Sequence, residues 1–414
     1  MQKKSVKVAK SSLKIRRNLR EISDKYIAGT YARQPVVLVR GKGSWVWDSD
    51  GNKYLDFVGG IAVCVLGHSH PAVAKAISAQ AKKLLHVSNL YYIEQQINLA
   101  ELLVKNSFAG RIFFCNSGAE ANEAAIKLAR RYSIEKHGEE RFGIIAMKNS
   151  FHGRTIAALS ATGQEKFRKG FGPMLEGFYF AEFNDINSLT ARIDNSTCAV
   201  LLEPIQCEGG IYAATQEYLK SVRKICDDRN LLLIFDEVQT GIGRTGKLFC
   251  YEHYGVKPDI MTLAKGLGNG VPIGAMIARE DIASVFNPGS HASTFGGNPL
   301  AASAGMAVLN TLLETDVLKN CKRMGDYLGK RLSWLKSKFD FIKDSRGMGL
   351  IQGIELNFPG KAIVDEARKK GLLINCTSEN VLRFSPPLIV KEYEIDAAIE
   401  ILSEIFQKVS LNYN

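Results

Sequence analysis

Apolar residues in this chain gather into short uninterrupted runs separated by amphipathic stretches. From about residue 111 to 278 the runs Arg111–Cys115, Gly143–Met147, Cys198–Glu203 and Leu231–Asp236 alternate with segments of helical periodicity. A run without polar interruption suits a strand buried on both faces, and helical segments between such strands suit crossover connections. The pattern therefore predicts an α/β domain on a mostly parallel sheet. Glu120–Arg131 opens with acids and carries strong helix formers, which predicts a helix after the first run. From about 298 a long helical region leads to a smaller α+β unit, with strands expected at Gly349–Leu356, Leu372–Asn375 and Val381–Phe384 and a closing helix from Glu392. Strands near Ser44–Asp48 and Lys53–Phe57 are expected to join this smaller unit. The expected division is an arm and joining segment over 1–60, a large domain over 61–298, and a linking helix with the small domain over 299–414. No internal repeat or low-complexity linker interrupts it.

Chemistry collects where the apolar runs stop. Leu231–Phe235 runs into Asp236–Glu237, and Met261–Ala264 reads as a second buried strand running into Lys265 beside flexible glycines. A lysine and an aspartate brought to one site by two strand ends is what pyridoxal 5'-phosphate (PLP) needs: the lysine forms the Schiff base, and the aspartate keeps the pyridine nitrogen protonated so that the ring accepts electrons. Cys115-Asn-Ser-Gly-Ala-Glu-Ala121 is a small-residue turn into a helix start, either an anion cradle of backbone N–H groups or a plain strand-to-helix turn; it lacks the Gly-Lys-Ser/Thr ending of a Walker A loop. In Asn149–Arg154, Phe151 can stack on a planar ring and Arg154 can clamp a carboxylate through its two-pronged guanidinium; beside Lys265 this reading outweighs a packed Phe and a solvated Arg. Glu203 and Glu208 lie five apart at another strand end. A carboxylate guarding a substrate-binding arginine is more economical there than glycosidase-type acid/base work, for which no other sugar-site feature is present. Cys64, His68 and His70 can be read as metal ligands, but a turn before Pro71 with a small buried cysteine is the simpler reading.

Composition narrows the alternatives. The formal net charge is +12, yet eight Lys/Arg and no acid fall in the first twenty residues, and no compact basic stripe with interleaved aromatics follows. Small anionic substrates and a phosphorylated cofactor explain that balance better than nucleic acid. No apolar run reaches membrane-spanning length, and the basic start lacks the apolar core of a secretory signal. A cytoplasmic location is expected, with an organelle presequence as the alternative reading of that start. The eight cysteines are scattered without CxxC pairs, which fits a reducing compartment and argues against a disulfide framework or a zinc site.

Taken together the motifs resemble the class III (subgroup II) PLP-dependent aminotransferases, closest to their acetylornithine branch. The resemblance runs from about Tyr31 to the C-terminal helix. It is carried by Gly60-Ile-Ala-Val, Phe114–Glu123, Phe151–Arg154, Phe235–Gly241, Arg244-Thr-Gly246, Ser293–Pro299 and Val381–Phe384. It implies fold type I and a homodimer with its sites at the subunit interface. It also implies that Lys265 is the Schiff-base lysine and proton carrier, that Asp236 pairs with the pyridinium and that Gln239 meets the phenolic oxygen. Val238 and Phe151 would sandwich the ring, with Glu237 in the same cofactor set. Gly118 and Ala119 would hold the phosphate with Ser117 beside them, Thr294 would complete that site from the partner subunit, and Ser293 would lie near substrate. Arg154 would bind the α-carboxylate of N-acetylornithine and the side-chain carboxylate of glutamate; Arg383 would take glutamate's α-carboxylate, masked by Glu208 in the first half-reaction.

The implied reaction moves the terminal amino group of N2-acetylornithine to 2-oxoglutarate, giving N-acetylglutamate 5-semialdehyde and glutamate in arginine biosynthesis. Ornithine, succinylornithine, acetyl-lysine-type or 4-aminobutyrate transamination and an aminomutase share its chemistry. A catalytically inactive PLP-fold binding protein is the reading from another class, and the joint presence of Lys265, Asp236, Arg154 and Arg383 speaks against it. Ornithine aminotransferases carry a tyrosine where Ile61 stands. Cys64 replaces a frequent Asn and Cys207 a usual Gly, and these departures bear on substrate preference.

Overall fold

The computed structural model describes residues 19–413, so nearly all of the basic start lies outside the described residues. A seven-stranded sheet forms the centre, in the order Arg111–Cys115, Gly274–Ala278, Ile260–Leu263, Leu232–Asp236, Thr197–Leu202, Gly143–Met147, Phe178–Ala181. Six strands run the same way, and Gly274–Ala278 runs against both neighbours. Every residue of Gly143–Met147, Thr197–Leu202, Leu232–Asp236, Ile260–Leu263 and Gly274–Ala278 is buried, as a sheet covered on both faces requires. The strands Phe178–Ala181 and Gly274–Ala278 carry weak sequence signals. The first is a short, partly exposed edge strand, and the second is built from small residues after a glycine-rich turn.

Helix Gly118–His137 lies on the sheet through Ala121, Ala124, Ala125, Leu128 and Ala129, whose small side chains allow close approach. It starts a turn's fraction earlier than its sequence pattern suggests, because Ser117 caps it: the Ser117 hydroxyl accepts from the Glu120 N–H at 3.2 Å, while the Glu120 carboxylate takes the Asn116 N–H at 2.7 Å. This reciprocal capping lets glycine and alanine occupy the first turn.

The smaller unit is an antiparallel sheet, Ile342–Met348, Ile351–Leu356, Val381–Phe384, Asn375–Thr377, backed by helices Val317–Lys338 and Glu392–Tyr413. Leu372–Leu373 pairs in parallel with Lys53–Asp56, in a sheet with Leu38–Lys42 and Trp45–Asp48, which physically joins the N-terminal segment to this unit. Arg244, fully buried, bridges the two regions: its Nη1 donates to the carbonyls of Leu350 at 2.9 Å and Pro386 at 2.5 Å.

Because six strands point one way, their carboxyl ends open on one edge of the sheet. In such sheets that edge is where ligands bind. The segments starting at Asn116, Lys148, Glu203, Glu237 and Ala264 all leave the sheet there.

Candidate active site

At that edge is a cavity of about 450 Å³ lined by Lys265, Asp236, Val238, Gln239, Gly118, Ala119, Phe151 and Arg154. With Ser117 and Glu203, which also line it, strand ends far apart in sequence thus bring together ten of the residues singled out above. Lys265 opens the 3-10 turn Lys265–Gly268 with φ at 37°, a left-handed backbone that a side-chain-bearing residue adopts only when its surroundings hold it there.

Asp236, 4% exposed, is held by three donors. Its Oδ2 accepts from Asn122 Nδ2 at 2.7 Å and pairs with His152 Nδ1 at 2.8 Å, and its Oδ1 accepts the Val238 N–H at 3.0 Å. Thr262 Oγ1 donates to Asn122 Oδ1 at 2.8 Å, which turns the Asn122 amide so that its NH2 faces Asp236 and the His152 carbonyl. An ionised aspartate only accepts, so Nδ1 carries the imidazole proton; Nε2 of the buried His152 has no protein partner among the described residues. Sequence reasoning missed Asn122 and His152. The available signals were an asparagine inside a helix built of strong formers and a histidine enclosed in the Phe151–Arg154 motif.

The first turn of helix Gly118–His137 leaves N–H groups unused by the helix itself, and Gly118 and Ala119 of that turn line the cavity. A Cβ on Gly118 would fall 2.6 Å from Val238 Cγ1, so only glycine lets the turn and Val238 approach this closely. The Arg154 guanidinium lies 4.2 Å from the Phe167 ring centroid and 5.6 Å from that of Phe151, with no carboxylate partner among the described residues.

Arg383 is 1% exposed and closed off. Its Nη1 donates to Glu208 Oε1 at 2.6 Å and Gln239 Oε1 at 3.1 Å, and its Nε to Asn375 Oδ1 at 3.2 Å. Burial works to raise Glu208, but the charge and hydrogen bond of Arg383 outweigh it and hold the carboxyl below its usual range. Glu203, buried on the cavity wall, accepts the Phe151 N–H at 3.1 Å.

Two expectations are corrected, those for Glu237 and Cys64. Glu237 does not face the cavity: it is fully buried behind it, and its two carboxylate oxygens accept the N–H groups of Cys250 at 2.6 Å and Tyr251 at 2.7 Å. Ser293 lies outside the cavity, its hydroxyl accepting from Asn116 Nδ2 at 3.2 Å and the Gly296 N–H at 3.1 Å. With Thr294 it lines a separate surface cleft, so within one chain neither lies beside Lys265. Cys64 is partly exposed instead of buried. Close to it, His68 Nε2 sits 2.7 Å from Asp56 Oδ2, and that bond, followed by the Cys64 side chain, raises the imidazole from 6.5 to about 10.

Ile61 has φ 65° and ψ 61°, a strained backbone for a β-branched residue, and its side chain is 43% exposed. It lines a second cavity of about 820 Å³, while its neighbour Val63 lines the first. Cys207 is fully buried, which pushes its thiol far up and keeps it neutral.

Comparison with known proteins bears on this geometry. The family model described as aminotransferase class-III matches residues 26–406. The acetylornithine aminotransferase of Caldanaerobacter subterraneus subsp. tengcongensis is 58% identical, covering 93% of this chain and 98% of that one; its counterpart in Methanocaldococcus jannaschii is 52% identical, covering 94% and 98%. Among solved structures, an ornithine aminotransferase from Toxoplasma gondii, described with PLP at its active site, superposes with a TM-score of 0.93 at 33% identity, covering 98% of each chain. The N-acetylornithine aminotransferase of Stenotrophomonas maltophilia gives 0.81 at 38% identity, covering 94% and 99%. With a strand-end lysine, a triply held aspartate and a helix N-terminus around one cavity, and a family match over nearly its whole length, the chain belongs to the class-III aminotransferases, PLP-dependent transaminases of fold type I.

Proposed function

We propose that this transaminase moves the terminal amino group of N2-acetylornithine to 2-oxoglutarate, a step of arginine biosynthesis. The observation that carries the reading is the pairing of an open Arg154 with a closed Glu208–Arg383 gate. One site must take an amino donor whose far end bears a single carboxylate, and then a keto acid bearing two. Arg154 supplies a permanent two-pronged carboxylate clamp. Arg383 supplies a second only when Glu208 swings away, so the neutral acyl-amide donor never meets an unpaired buried cation. The relatives named above as acetylornithine aminotransferases agree with this choice.

The residues fit the cofactor. The Gly118–Ala119 turn offers N–H groups to a phosphate, and Phe151 and Val238 border the space for a flat ring. Bound there, PLP supplies an electron sink for the carbon that loses its proton. Asp236, fixed by Asn122 and His152, would hold a proton at the ring nitrogen, and Gln239 would lie on the side of the phenolic oxygen. The Lys265 Nζ would serve as the proton carrier.

Thr294 is assigned to the phosphate site of a second subunit. Leu90, 85% exposed, lines the same cleft as Thr294, and Phe295, 58% exposed, follows it in the chain; Leu85, Tyr91 and Tyr92 are exposed to 54%, 70% and 97%. Apolar exposure on this scale supports a protein contact, which we assign to a homodimer. No helix among the described residues is long and apolar enough to cross a membrane.

Ornithine transamination is the second reading, favoured by the TM-score of 0.93 with the Toxoplasma enzyme. The resemblance speaks against it: ornithine aminotransferases carry a tyrosine where Ile61 stands, and an apolar residue there offers the free α-ammonium of ornithine no polar partner. The test is kcat/KM for both donors in wild type, Ile61→Tyr and Arg154→Lys. Acetylornithine is expected to lead, Ile61→Tyr to shift the ratio toward ornithine, and Arg154→Lys to weaken both by about tenfold or more as the clamp loses a prong. A wild-type preference for ornithine or 4-aminobutyrate overturns the substrate and leaves the cofactor chemistry standing.

A further inference from the structure

Two carboxyl groups share the wall of the Lys265 cavity, and they are not equally equipped. Asp236 has three hydrogen-bond donors, two of them side chains. Glu203 ends the buried strand Thr197–Leu202, is 4% exposed, and has one donor, the Phe151 N–H on Oε2. It forms no ion pair, and its Oε1 has no protein partner, among the described residues. Its titratable and charged surroundings are Asp236 at the end of the neighbouring strand, Lys265 in the turn after the strand beyond it, Cys207 and Glu208 from its own loop, and His152 beside Phe151.

Two buried carboxyls facing one space do not both ionise cheaply, and the charge settles on the one with more donors. We propose that Glu203 stands in the working enzyme as a neutral carboxylic acid and serves as a positioning residue: Oε2 anchors the Phe151 backbone, and the acid proton makes the carboxyl a hydrogen-bond donor on the cavity wall. Burial, and then the charge of Asp236, push the Glu203 carboxyl well above its usual range, against the opposing pulls of the Phe151 N–H and Lys265. Kept neutral, Glu203 leaves Asp236 as the only anion available to the ring nitrogen and does not trap the Lys265 ammonium in a salt bridge.

The inference rests on the use of PLP and not on the choice of amino donor, and its test needs no substrate. Glutamine is the neutral, isosteric replacement, with an acceptor for the Phe151 N–H and a donor for the cavity. Leucine is neutral without either. Glu203→Gln is expected to bind PLP within about twofold of wild type and to leave the pH midpoint of the visible cofactor band where it was. Glu203→Leu, checked as folded by circular dichroism, is expected to lose about tenfold in PLP affinity as Phe151 loosens. An infrared difference spectrum, wild-type holoprotein minus Glu203→Gln holoprotein at neutral pH, is expected to show the protonated-carboxyl band of one side chain. A midpoint shift of about one unit or more in Glu203→Gln, a carboxylate band in place of the acid band, or full PLP affinity in Glu203→Leu overturns the assignment. A change of preferred amino donor moves none of these readouts.

Discussion

Among single residues, the contrast between His152 and His68 shows how burial and partner decide what a histidine does. Both imidazoles meet an aspartate, at 2.8 and 2.7 Å, but His152 is sealed against the cavity wall while His68 keeps a side chain 23% exposed. The His68 imidazole is raised from 6.5 to about 10 by its bond to Asp56, helped by Cys64 and opposed by burial. A group whose folded pKa is raised contributes stability that is whole below 6.5 and drains away as pH rises through about 10. Chemical denaturation at several pH values across that window is expected to show a falling alkaline limb that His68→Asn flattens, and the His68 ring signal in NMR is expected to titrate well above neutrality. A ring that titrates near 6.5 contradicts the pairing. His68 was visible in the sequence only as part of a turn before Pro71, because its aspartate lies on another strand of the fold. Asn122 and His152 escaped for the same reason: their meaning comes from Asp236, 114 and 84 residues away, and no local pattern records such a contact.

Among elements, the strands were legible to the degree that they are apolar. Gly143–Met147 and Val381–Phe384 stand as their sequence pattern predicts, and Leu232–Asp236 differs by one residue. Gly274–Ala278 was hidden by its small side chains, and its reversed direction is a property of pairing that no run of residues can announce. The helix Gly118–His137 was recognisable by its formers, yet its functional end lies at Gly118, the residue of its first turn that looks least helical. There, Gly118 is expected to be intolerant of the smallest addition. In Gly118→Ala the new methyl meets Val238 Cγ1 at 2.6 Å, forcing the turn or Val238 away from its place on the cavity wall. PLP affinity measured by equilibrium dialysis should fall about tenfold, ~1.4 kcal/mol, with the far-ultraviolet dichroism unchanged; wild-type affinity would show that the turn does not form the phosphate cradle.

For the molecule as a whole, the proposed role of Thr294 in a second subunit's phosphate site would tie cofactor binding to assembly. If a second subunit completes each phosphate site, PLP must favour the dimer, since a ligand that binds only the assembled state draws the equilibrium toward it. Sedimentation is expected to show the apoprotein dissociating at higher concentration than the holoprotein, and an active monomer would refute the shared site. Arg244 has a different consequence. Its charge is wholly buried, and Nη1 is spent on two neutral carbonyls, Leu350 and Pro386, both in the smaller unit. When the two regions part, that cation loses both acceptors at once, so separation and melting of the interface become a single event. The rivet therefore governs cooperativity more than strength: a methionine of similar length removes a costly buried charge and also removes the coupling. In calorimetry the wild type should unfold in one peak and Arg244→Met in two, with the regions free to melt at temperatures of their own.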